Sequence, residues 1–474
     1  MKSGFVSRQY PERAALVAEG GVTLTYADLH QAIDRLAAQL PARQLIFIVG
    51  GNDLPTLLCY LASQAQGAVP LLLGRGLDEA QLNRLIRSYD PAYIFTATEA
   101  AEAAGAHPYG TLVHEEGAYG LYRRLDAVPH ELHPELALLM ATSGSTGSPK
   151  LVRLSAHNLA ANAASIAEYL AIAPQERAIT SLPFHYSYGL SVINSHLLAG
   201  ASLVLSDHSL MAPAFWKQVN EHQVTSFAGV PYSYDILLKL RLGRINMPSV
   251  HTLTQAGGRM DPAKVQQVAD ICREKGIRFF SMYGQTEATA RIAYLAPAEM
   301  ATKSGSIGRA IPGGRLWLES DDGRVVTEPG IVGELIYAGP NVSMGYAESA
   351  ADLKLGDVNK GQLRTGDLAR VDEDGCFFIE GRRHRFLKIL GIRISLDAVE
   401  RLAADKGLAC AAHGSDDKLV IHVGNAPELA SDELRQDMAK SLGLHPSVVA
   451  VNLMRELPRL PTGKVDYQCL SQLS

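Results

Sequence analysis

The sequence predicts an α/β protein with a large N-terminal domain of parallel sheets flanked by helices, a β-rich subdomain, and a small α+β C-terminal domain. Three observations predict this architecture. Short apolar runs alternate with helical patterns through the first two-thirds of the 474 residues, as in parallel sheets covered by helices. After about residue 312, Gly, Asp and Glu become frequent and short alternating strands appear. Beyond Gly381 the sequence again shows a mixture of helix and strand patterns.

The first elements illustrate the alternation. Gln44 to Val49 forms an apolar run that ends at two glycines, which indicates a buried strand. A helix is predicted from Leu54 to Gln66 and a strand from Val69 to Leu73. Further strands are expected at 178–182, 202–205 and 278–282, and a helix is expected to start near His157.

The later segments predict two further parts. Strands at 315–319 and 334–337, with turn signals at Asp322-Gly323 and Asp374-Gly375, indicate hairpins of a β-rich subdomain at about 312–381. A strand at 418–423 and a helix at about 432–442 fill a small last domain. We therefore expect an N-terminal domain over 1–381 and a C-terminal domain over 382–474.

Bulk properties exclude several function classes. The net charge is −5 and no long basic run occurs, which argues against binding of nucleic acid through phosphate contacts. The N-terminus lacks the apolar centre of a signal peptide, and no window resembles a membrane span. The five scattered cysteines suggest neither a disulfide framework nor a zinc site. A soluble, cytoplasmic protein is expected.

A Ser/Gly/Thr-rich segment that ends on a lysine is the strongest local signal. Glycines let backbone N–H groups face an anion, hydroxyls add donors, and the lysine adds a positive charge. The spacing does not fit the Walker A pattern, and by composition alone such a run also occurs in linkers. As a phosphate loop, the segment supplies Thr142, Ser143, Gly144, Ser145, Thr146, Gly147 and Lys150.

Further motifs follow in a fixed order. They are Phe184-His185-Tyr186-Ser187-Tyr188-Gly189, Tyr283-Gly284-Gln285-Thr286-Glu287, Thr365-Gly366-Asp367, Gly381-Arg382 with Lys388 and Gly391, and Pro461-Thr462-Gly463-Lys464. With the Ser/Gly loop they resemble the superfamily of adenylate-forming enzymes, which includes acyl-CoA synthetases, amino-acid adenylation domains and luciferases. The resemblance covers nearly the whole chain.

The resemblance implies a role for each nucleotide motif. The loop holds the pyrophosphate of ATP, Glu287 binds Mg²⁺, and Thr286 hydrogen-bonds the α-phosphate. Asp367 binds the ribose hydroxyls with help from Arg382. The remaining nucleotide-binding residues are Gly257 and Gly258, which face the adenine, together with Tyr283, Gly284 and Gln285. By residue type alone, Glu287 also suits a helix first turn and Asp367 a tight turn.

The C-terminal motifs imply catalysis and a change of domain orientation. Lys464 is implied to reach the reacting carboxylate and the α-phosphate. Lys388 and Gly391 fall in the hinge segment, and Gly391 lies where a pantetheine channel needs a small residue. The hinge position usually carries Asp or Lys, and here it carries His384, within a basic cluster. That cluster either meets an anionic acceptor or is a solvated hinge.

The acid pocket is expected around His185, a catalytic or gating residue in an aromatic setting; a core histidine is the alternative. Adenylation domains for amino acids often place an Asp here, and none stands in 184–189. A non-amino-acid acyl or aryl carboxylate is therefore favoured.

The sequence thus predicts an ATP- and Mg²⁺-dependent carboxylate ligase that forms acyl-AMP and transfers the acyl group to a thiol, either CoA or the phosphopantetheine of a carrier protein. Two alternatives stay open: an amide-forming ligase that uses the same acyl-AMP, and a nucleotide-binding relative without turnover.

Overall fold

The computed structural model describes residues 6–99, 109–141, 150–383, 385–389, 392–415, 417–424, 431–460 and 463–473. The chain forms two compact units. The first comprises Met1–Arg315 and Tyr337–Leu363, and the second comprises Leu316–Ile336 and Arg364–Ser474. The division between 1–381 and 382–474 expected from the sequence stays a prediction.

The helices of the described residues are α1 (Tyr26–Ala37), α2 (Leu54–Gln66), α3 (Glu79–Tyr89), α4 (Ala156–Tyr169), α5 (Ser187–Ala199), α6 (Pro213–Glu221), α7 (Pro231–Lys239), α8 (Pro262–Glu274), α9 (Leu396–Asp405), α10 (Ser431–Ser441) and α11 (Tyr467–Gln472). Most of them begin with a capping side chain or a proline in the first turn. Asp53, for example, accepts the Thr56 N–H at the start of α2, where Pro55 occupies the first turn.

The first sixteen strands are β1 (Ala14–Val17), β2 (Thr23–Thr25), β3 (Leu45–Gly50), β4 (Val69–Gly74), β5 (Tyr93–Ala97), β6 (Thr111–Glu116), β7 (Tyr119–Arg123), β8 (Leu136–Ala141), β9 (Leu151–Ser155), β10 (Arg177–Ile179), β11 (Ser202–Val204), β12 (Ser226–Gly229), β13 (Thr252–Gln255), β14 (Arg278–Tyr283), β15 (Ala293–Leu295) and β16 (Arg309–Ala310). The remaining strands are β17 (Arg315–Glu319), β18 (Val325–Val326), β19 (Gly333–Ala338), β20 (Tyr346–Ala347), β21 (Gln362–Val371), β22 (Phe377–Arg382), β23 (Phe386–Ile389), β24 (Ile392–Ser395), β25 (Ala409–Ser415), β26 (Lys418–Gly424) and β27 (Val449–Met454).

The first unit contains two large mixed sheets. One has the order β16-β15-β14-β13-β12-β10-β11-β1-β2, and the other β20-β9-β8-β4-β3-β5-β7-β6. The centre of each sheet is parallel, as predicted, while the outer strands pair antiparallel. The elements predicted between residues 44 and 73 lie at the expected positions.

Alternating side chains divide the core into layers. Ile46 and Ile48 of β3 belong to the largest core cluster, which also holds residues of α1, α2, α4 and α5 and of the nine-stranded sheet. Phe47, between them, belongs to a separate cluster that contains residues of α3. On the nine-stranded sheet, Phe227 and Leu253 pack with α6 to α8 in another cluster. The α4–α5 layer therefore lies between the two sheets and is packed against both.

The second unit is built from smaller sheets. The order β18-β17-β19-β21-β22 gives a five-stranded sheet in which the predicted hairpins at Asp322-Gly323 and Asp374-Gly375 are present. A three-stranded sheet, β25-β26-β27, packs with α9 and α10 around Val399, Ile421 and Met438. The α/β class with a β-rich part and an α+β part is confirmed.

Within the described ranges, no helix has both the length and the apolar character needed to cross a membrane.

Candidate active site

The ends of three parallel strands define the candidate site in the first unit. β12, β13 and β14 are parallel neighbours and end at Gly229, Gln255 and Tyr283. Carboxyl ends of adjacent parallel strands share one sheet edge, where ligands of open α/β sheets bind. The segments that leave this edge carry the sequence-predicted Gly257, Gly258 and the Tyr283–Glu287 motif, so the topology brings these residues together.

Gly257 is a position where a side chain does not fit. Its φ is +86°, and a Cβ built there would lie 2.3 Å from the Tyr186 hydroxyl oxygen. The side chain of Gln255 donates to the Gly258 carbonyl at 3.0 Å and fixes the same turn. The absence of a Cβ lets the Tyr186 hydroxyl approach this backbone closely, and the adenine contact stays a prediction.

The aromatic pocket motif meets the Tyr283–Glu287 motif at a pair of hydroxyls. Ser187, the first residue of α5, has its Oγ 3.2 Å from the Oγ1 of Thr286. Thr286 opens a short 3-10 helix, Thr286–Ala288, directly after β14. One turn of backbone thus places Thr286 against the pocket wall. The Gln285 side chain donates back to the Tyr283 hydroxyl at 3.1 Å.

Glu287 and Lys150 are linked through Tyr346. The Tyr346 hydroxyl donates to Glu287 Oε1 at 2.6 Å. The Lys150 ammonium lies 3.9 Å from the centre of the Tyr346 ring and 3.8 Å from a Glu348 oxygen. Cation–π and ion-pair contacts of this kind hold a lysine loosely enough to be exchanged for a stronger anion. Tyr346 therefore joins two sequence-predicted residues that lie 137 positions apart (150 and 287).

Partial burial, and then the negative charge of Glu287, raises the pKa of Tyr346. The pKa rises because both effects disfavour the negatively charged phenolate form of Tyr346. Tyr346 therefore keeps its proton over the physiological range and stays a donor to the carboxylate.

Arg153 fixes the segment that carries Tyr346. This arginine is fully buried on β9, and its guanidinium donates to the carbonyls of Met344, Tyr346, Leu355 and Gly356. The strand pairing of β20 with β9 adds to the same attachment. The position of Tyr346 is thus set by backbone and by a buried cation, not by its own side chain.

Gly284 brings a second buried arginine next to the nucleotide motif. A Cβ at Gly284 would lie 1.7 Å from the Ala290 carbonyl and 2.9 Å from the Arg291 Cα. The Ile292 N–H donates to the Tyr283 carbonyl at 2.9 Å. The chain therefore folds back on the motif within a few residues, and Arg291 enters the interior beside it, with only 1% of its surface exposed.

His185 has a different neighbourhood from Ser187. Its ring packs on Gly74, at the end of β4, where an added Cβ would lie 2.7 Å from the ring. Burial lowers the pKa of His185, so the imidazole is neutral at physiological pH. The residue that contacts Thr286 is Ser187, two positions after His185. The role of His185 at the acid site stays a prediction.

In the second unit, Asp367 and Arg382 face each other across two strands. They are register partners on β21 and β22, and the Arg382 Nε lies 3.4 Å from an Asp367 oxygen. Asp367 is 4% exposed, whereas the Arg382 side chain is 64% exposed. An exposed cation over a recessed carboxylate can be displaced by a ligand that offers hydroxyl donors. This geometry fits the predicted ribose contact.

The basic cluster around the predicted hinge is paired with acidic residues of its own unit. Arg383 contacts Glu334 and Asp321. Arg385 contacts Asp397 and Glu400. These two arginines are therefore engaged internally. Lys388 lies within β23.

Lys464 lies in a short turn before α11. The Gly463 N–H donates to the Leu460 carbonyl and the Leu460 N–H to the Lys464 carbonyl, both at 2.8 Å. The turn holds the lysine backbone at a fixed place on the second unit.

Some predicted positions lie outside the described residues. They are Thr142, Ser143, Gly144, Ser145, Thr146, Gly147, His384 and Gly391.

Comparison with known proteins identifies the family. The family model described as AMP-binding enzyme matches residues 6–347. The chain belongs to the AMP-binding enzymes. A feruloyl-CoA synthase of Amycolatopsis sp is 30% identical over 475 residues, covering 95% of this chain and 94% of its own length. An indoleacetate–CoA ligase of Aromatoleum aromaticum is 28% identical over 433 residues, covering 85% and 81%. The structure of O-succinylbenzoate coenzyme A synthetase from Bacillus subtilis, in complex with ATP and magnesium ion, aligns with a TM-score of 0.77 at 25% identity and 98% coverage of both chains.

Membership confirms the reaction class predicted from the motifs. This AMP-binding enzyme is an ATP-dependent, AMP-forming acid–thiol ligase that uses Mg²⁺. The adenylate-forming resemblance is confirmed with it. The roles of the individual site residues stay predictions.

Sequence reasoning missed three residues of this AMP-binding enzyme's site. Ser187 was named only as part of a motif, although it is the residue that reaches Thr286. Arg291 carried a usable signal, because a lone arginine interrupts the apolar run from Ala290 to Ala293. Tyr346 carried none, since its contacts depend on the pairing of β20 with a strand almost 200 residues earlier.

Proposed function

We propose that this AMP-binding enzyme activates an aromatic carboxylic acid as its acyl-AMP and transfers the acyl group to CoA, in the cytoplasm, where ATP and CoA are both available. The observation that carries the proposal is the contact between Ser187 and Thr286. It sets the aromatic wall of the pocket beside the residue predicted to bind the α-phosphate.

The walls of the pocket support an aromatic acid. The rings of Tyr186 and Tyr188 lie 6.2 Å apart at 67°, an edge-to-face arrangement that an aryl substrate can extend. The motif 184–189 contains no acidic residue that would pair with an ammonium group. The curated relatives named for feruloyl, indoleacetate and succinylbenzoate activation act on aromatic acids, and their names specify CoA.

In the first step, a carboxylate oxygen attacks the α-phosphorus of ATP. The bond from the α-phosphorus to the bridging oxygen breaks, and pyrophosphate leaves with the electron pair. Thr286 donates to the α-phosphate, and Lys150 exchanges Tyr346 and Glu348 for the phosphate charge. Lys464 neutralises the approaching carboxylate and the α-phosphate, while Asp367 holds the ribose. Pre-positioned donors and cations of this kind supply most of the stabilisation in phosphoryl chemistry.

Glu287 has the properties expected of a magnesium ligand. One oxygen accepts the Tyr346 hydroxyl, and no donor among the described residues occupies the other. Mg²⁺ takes oxygen ligands and typically uses one or two protein carboxylates with phosphates. When bound, the ion neutralises phosphate charge and orients the nucleotide.

In the second step, the thiol sulfur of CoA attacks the acyl carbon and gives up its proton to solvent; the bond from the acyl carbon to the phosphate oxygen breaks, so that a thioester forms and AMP leaves. Residues 382–474 reorient as a domain between the two steps, about a hinge at His384, and Lys388 and Gly391 border the path of the pantetheine arm. The ordered motifs of the sequence support this step.

Pyrophosphate release with a panel of aromatic acids tests the proposal. Purified enzyme, ATP, Mg²⁺ and CoA are expected to give pyrophosphate and a product with the mass of the acyl-CoA. Lys464→Ala should reduce pyrophosphate release by about 100-fold or more, the range seen when one stabilising group is removed. Lys440→Ala, an exposed lysine on α10, should leave it unchanged.

Two outcomes would redirect the proposal. An amide product when amines replace CoA, with no thioester formed in the presence of CoA, would favour the amide-forming alternative. Binding of ATP without pyrophosphate release for any acid would favour a nucleotide-binding relative without turnover.

A further inference from the structure

Arg291 is a buried cation with weak partners. Its guanidinium lies 4.1 Å from the centre of the Tyr188 ring, and one Nη donates to Ser191 Oγ at 3.1 Å. The other Nη lies 2.5 Å from the Met282 sulfur and 3.4 Å from the Tyr169 hydroxyl. These groups are hydroxyls, a thioether and a ring face, and none of them carries a negative charge.

No carboxylate in the described part of the chain lies within ion-pair distance of Arg291, although other arginines of the first unit such as Arg75 and Arg124 have such pairs. The Arg291 Nε has no hydrogen-bond partner among the same residues. A charge removed from water without an opposite charge costs free energy. A bound anion would offset that cost.

The guanidinium lines a cavity between α5 and the nine-stranded sheet. Its polar lining also includes Ser195, His196, Thr254, Arg278 and Glu176. Glu176 is engaged by the Thr225 hydroxyl and His251, and Arg278 by a carbonyl and a hydroxyl. With two arginines and one glutamate, the lining carries a net positive charge. The cavity volume of about 20 Å³ is slightly more than one water molecule needs, so a ring does not enter it.

The buried cation lies close to the reacting centre. Ser191, which accepts from Arg291, stands four residues after Ser187, which touches Thr286. Four residues of helix rise about 6 Å along the axis, slightly more than one turn. The spacing of Ser187 and Ser191 along α5 therefore gives the scale for a substrate that spans from Thr286 to Arg291.

We propose that the acid substrate carries a second carboxylate, and that Arg291 pairs with it. This substrate class is a dicarboxylic acid whose two carboxylates are separated by ~6 Å, the rise over four helical residues. The inference rests on the proposed function, because it requires an acid whose other carboxylate is adenylated at Thr286. Arg291 is then the specificity-determining residue for the known reaction.

Exchange of labelled pyrophosphate into ATP, measured with matched acids, tests the inference on the unmodified enzyme. The pairs are benzoate with phthalate, isophthalate or terephthalate, and phenylacetate with homophthalate. At least one dicarboxylate is expected to exceed its monocarboxylate partner by about 100-fold in kcat/KM, the range for a buried charge pair. Equal or better exchange with the monocarboxylates would overturn the inference and leave the proposed function standing. No exchange with any acid would overturn the proposed function and this inference with it.

Variants of Arg291 separate recognition from folding. Arg291→Met should lower the rate with the dicarboxylate far more than the rate with the monocarboxylate, and Arg291→Lys should restore part of the difference. A purely structural role would lower both rates together. Arg177→Met is the control, because Arg177 is partly buried and, like Arg291, has an unpartnered Nε among the described residues, but lies outside the cavity lining. A preference unchanged in Arg291→Met would overturn the assignment.

Discussion

Arg153 and Arg291 are both buried in the first unit, and their surroundings differ in kind. Arg153 is fully buried and donates to four backbone carbonyls around 344–356, so its hydrogen-bonding capacity is used. Arg291 is 1% exposed and contacts a ring face, a sulfur and two hydroxyls, and it borders a cavity.

The difference shows that burial of a charge does not by itself reveal its role. Carbonyl oxygens are strong acceptors that are present in every state of the folded protein, so an arginine surrounded by them serves the structure. An arginine with weak acceptors and open space keeps most of its capacity for an anion. The partners of the guanidinium, rather than its depth, distinguish the two.

The largest expected effect concerns stability. Arg153→Met removes the donor from four carbonyls, of which that of Met344 keeps the Val358 N–H, and should lower the free energy of unfolding by about 4 kcal/mol. Arg291→Met removes a buried charge that no carboxylate compensates and should cost less than half of that. Urea denaturation of both variants beside the wild type gives the two values.

Equal losses of unfolding free energy in Arg153→Met and Arg291→Met would contradict the distinction between a structural and a ligand-binding arginine. Arg244→Met, at an exposed position, is the control and should shift the unfolding midpoint very little.

A smaller effect is expected from the pH dependence of the Arg291 region. Burial lowers the pKa of His196, which lines the same cavity, to about 4. The unfolded chain binds this proton near its ordinary value of about 6.5, so the unfolded state takes up the proton first as the pH falls. His196 therefore contributes a loss of about 2 kcal/mol between about pH 7 and about pH 5.

His196→Asn, which keeps a donor for the Val192 carbonyl, should flatten that part of the curve. The measurement is the free energy of unfolding against pH for both proteins. Only the difference between the two curves reports on His196, because burial also lowers the pKa of other histidines such as His185. Identical slopes would show that His196 is not held neutral in the folded state.

The smallest expected effect concerns Tyr346, which lies on the segment that Arg153 holds in place. Tyr346→Phe removes the hydroxyl that donates to Glu287 and leaves the ring beneath Lys150. We expect about a tenfold rise in the Mg²⁺ concentration needed for half-maximal ATP binding, since a hydrogen bond to a charged group contributes about 1.5 kcal/mol. Calorimetric titration without any acid measures binding in the absence of turnover.

Tyr89→Phe is the matched control for this variant. Tyr89 donates to the carbonyl of Ala347, the residue after Tyr346, at 2.6 Å. It should lose stability without a change in the Mg²⁺ requirement. The same Mg²⁺ shift in both variants would mean that the strand position, and not the Tyr346 hydroxyl, determines binding.

Most of the fold could be predicted because buried parallel strands leave a strong local signal. The run from Leu45 to Gly50 is apolar on both faces, and a capped helix, α2, follows at the predicted residues. Antiparallel edges such as β15 and β16 could not be predicted, because their short sequences acquire strand geometry only from the neighbour they pair with.

Some residues of the candidate site could likewise be predicted from the sequence, and others could not. Glu287, Thr286 and Gly257 are adjacent to strand ends, so local sequence places them at one sheet edge. The contacts of Tyr346 and Arg291 depend on distant segments that meet only after folding. A motif therefore identifies the nucleotide end of the site, while the groups proposed to select the acid require the structure.

The close approach at Gly284 has a consequence for changing the specificity of this enzyme. Any side chain at that position would push against the Ala290 carbonyl and the Arg291 backbone, on the turn that also leads to Thr286. Nucleotide binding and acid selection would shift together. A redesign that aims at a new acid while keeping adenylation intact is therefore confined to exchanging side chains around a fixed backbone, with residue 291 as the first to vary.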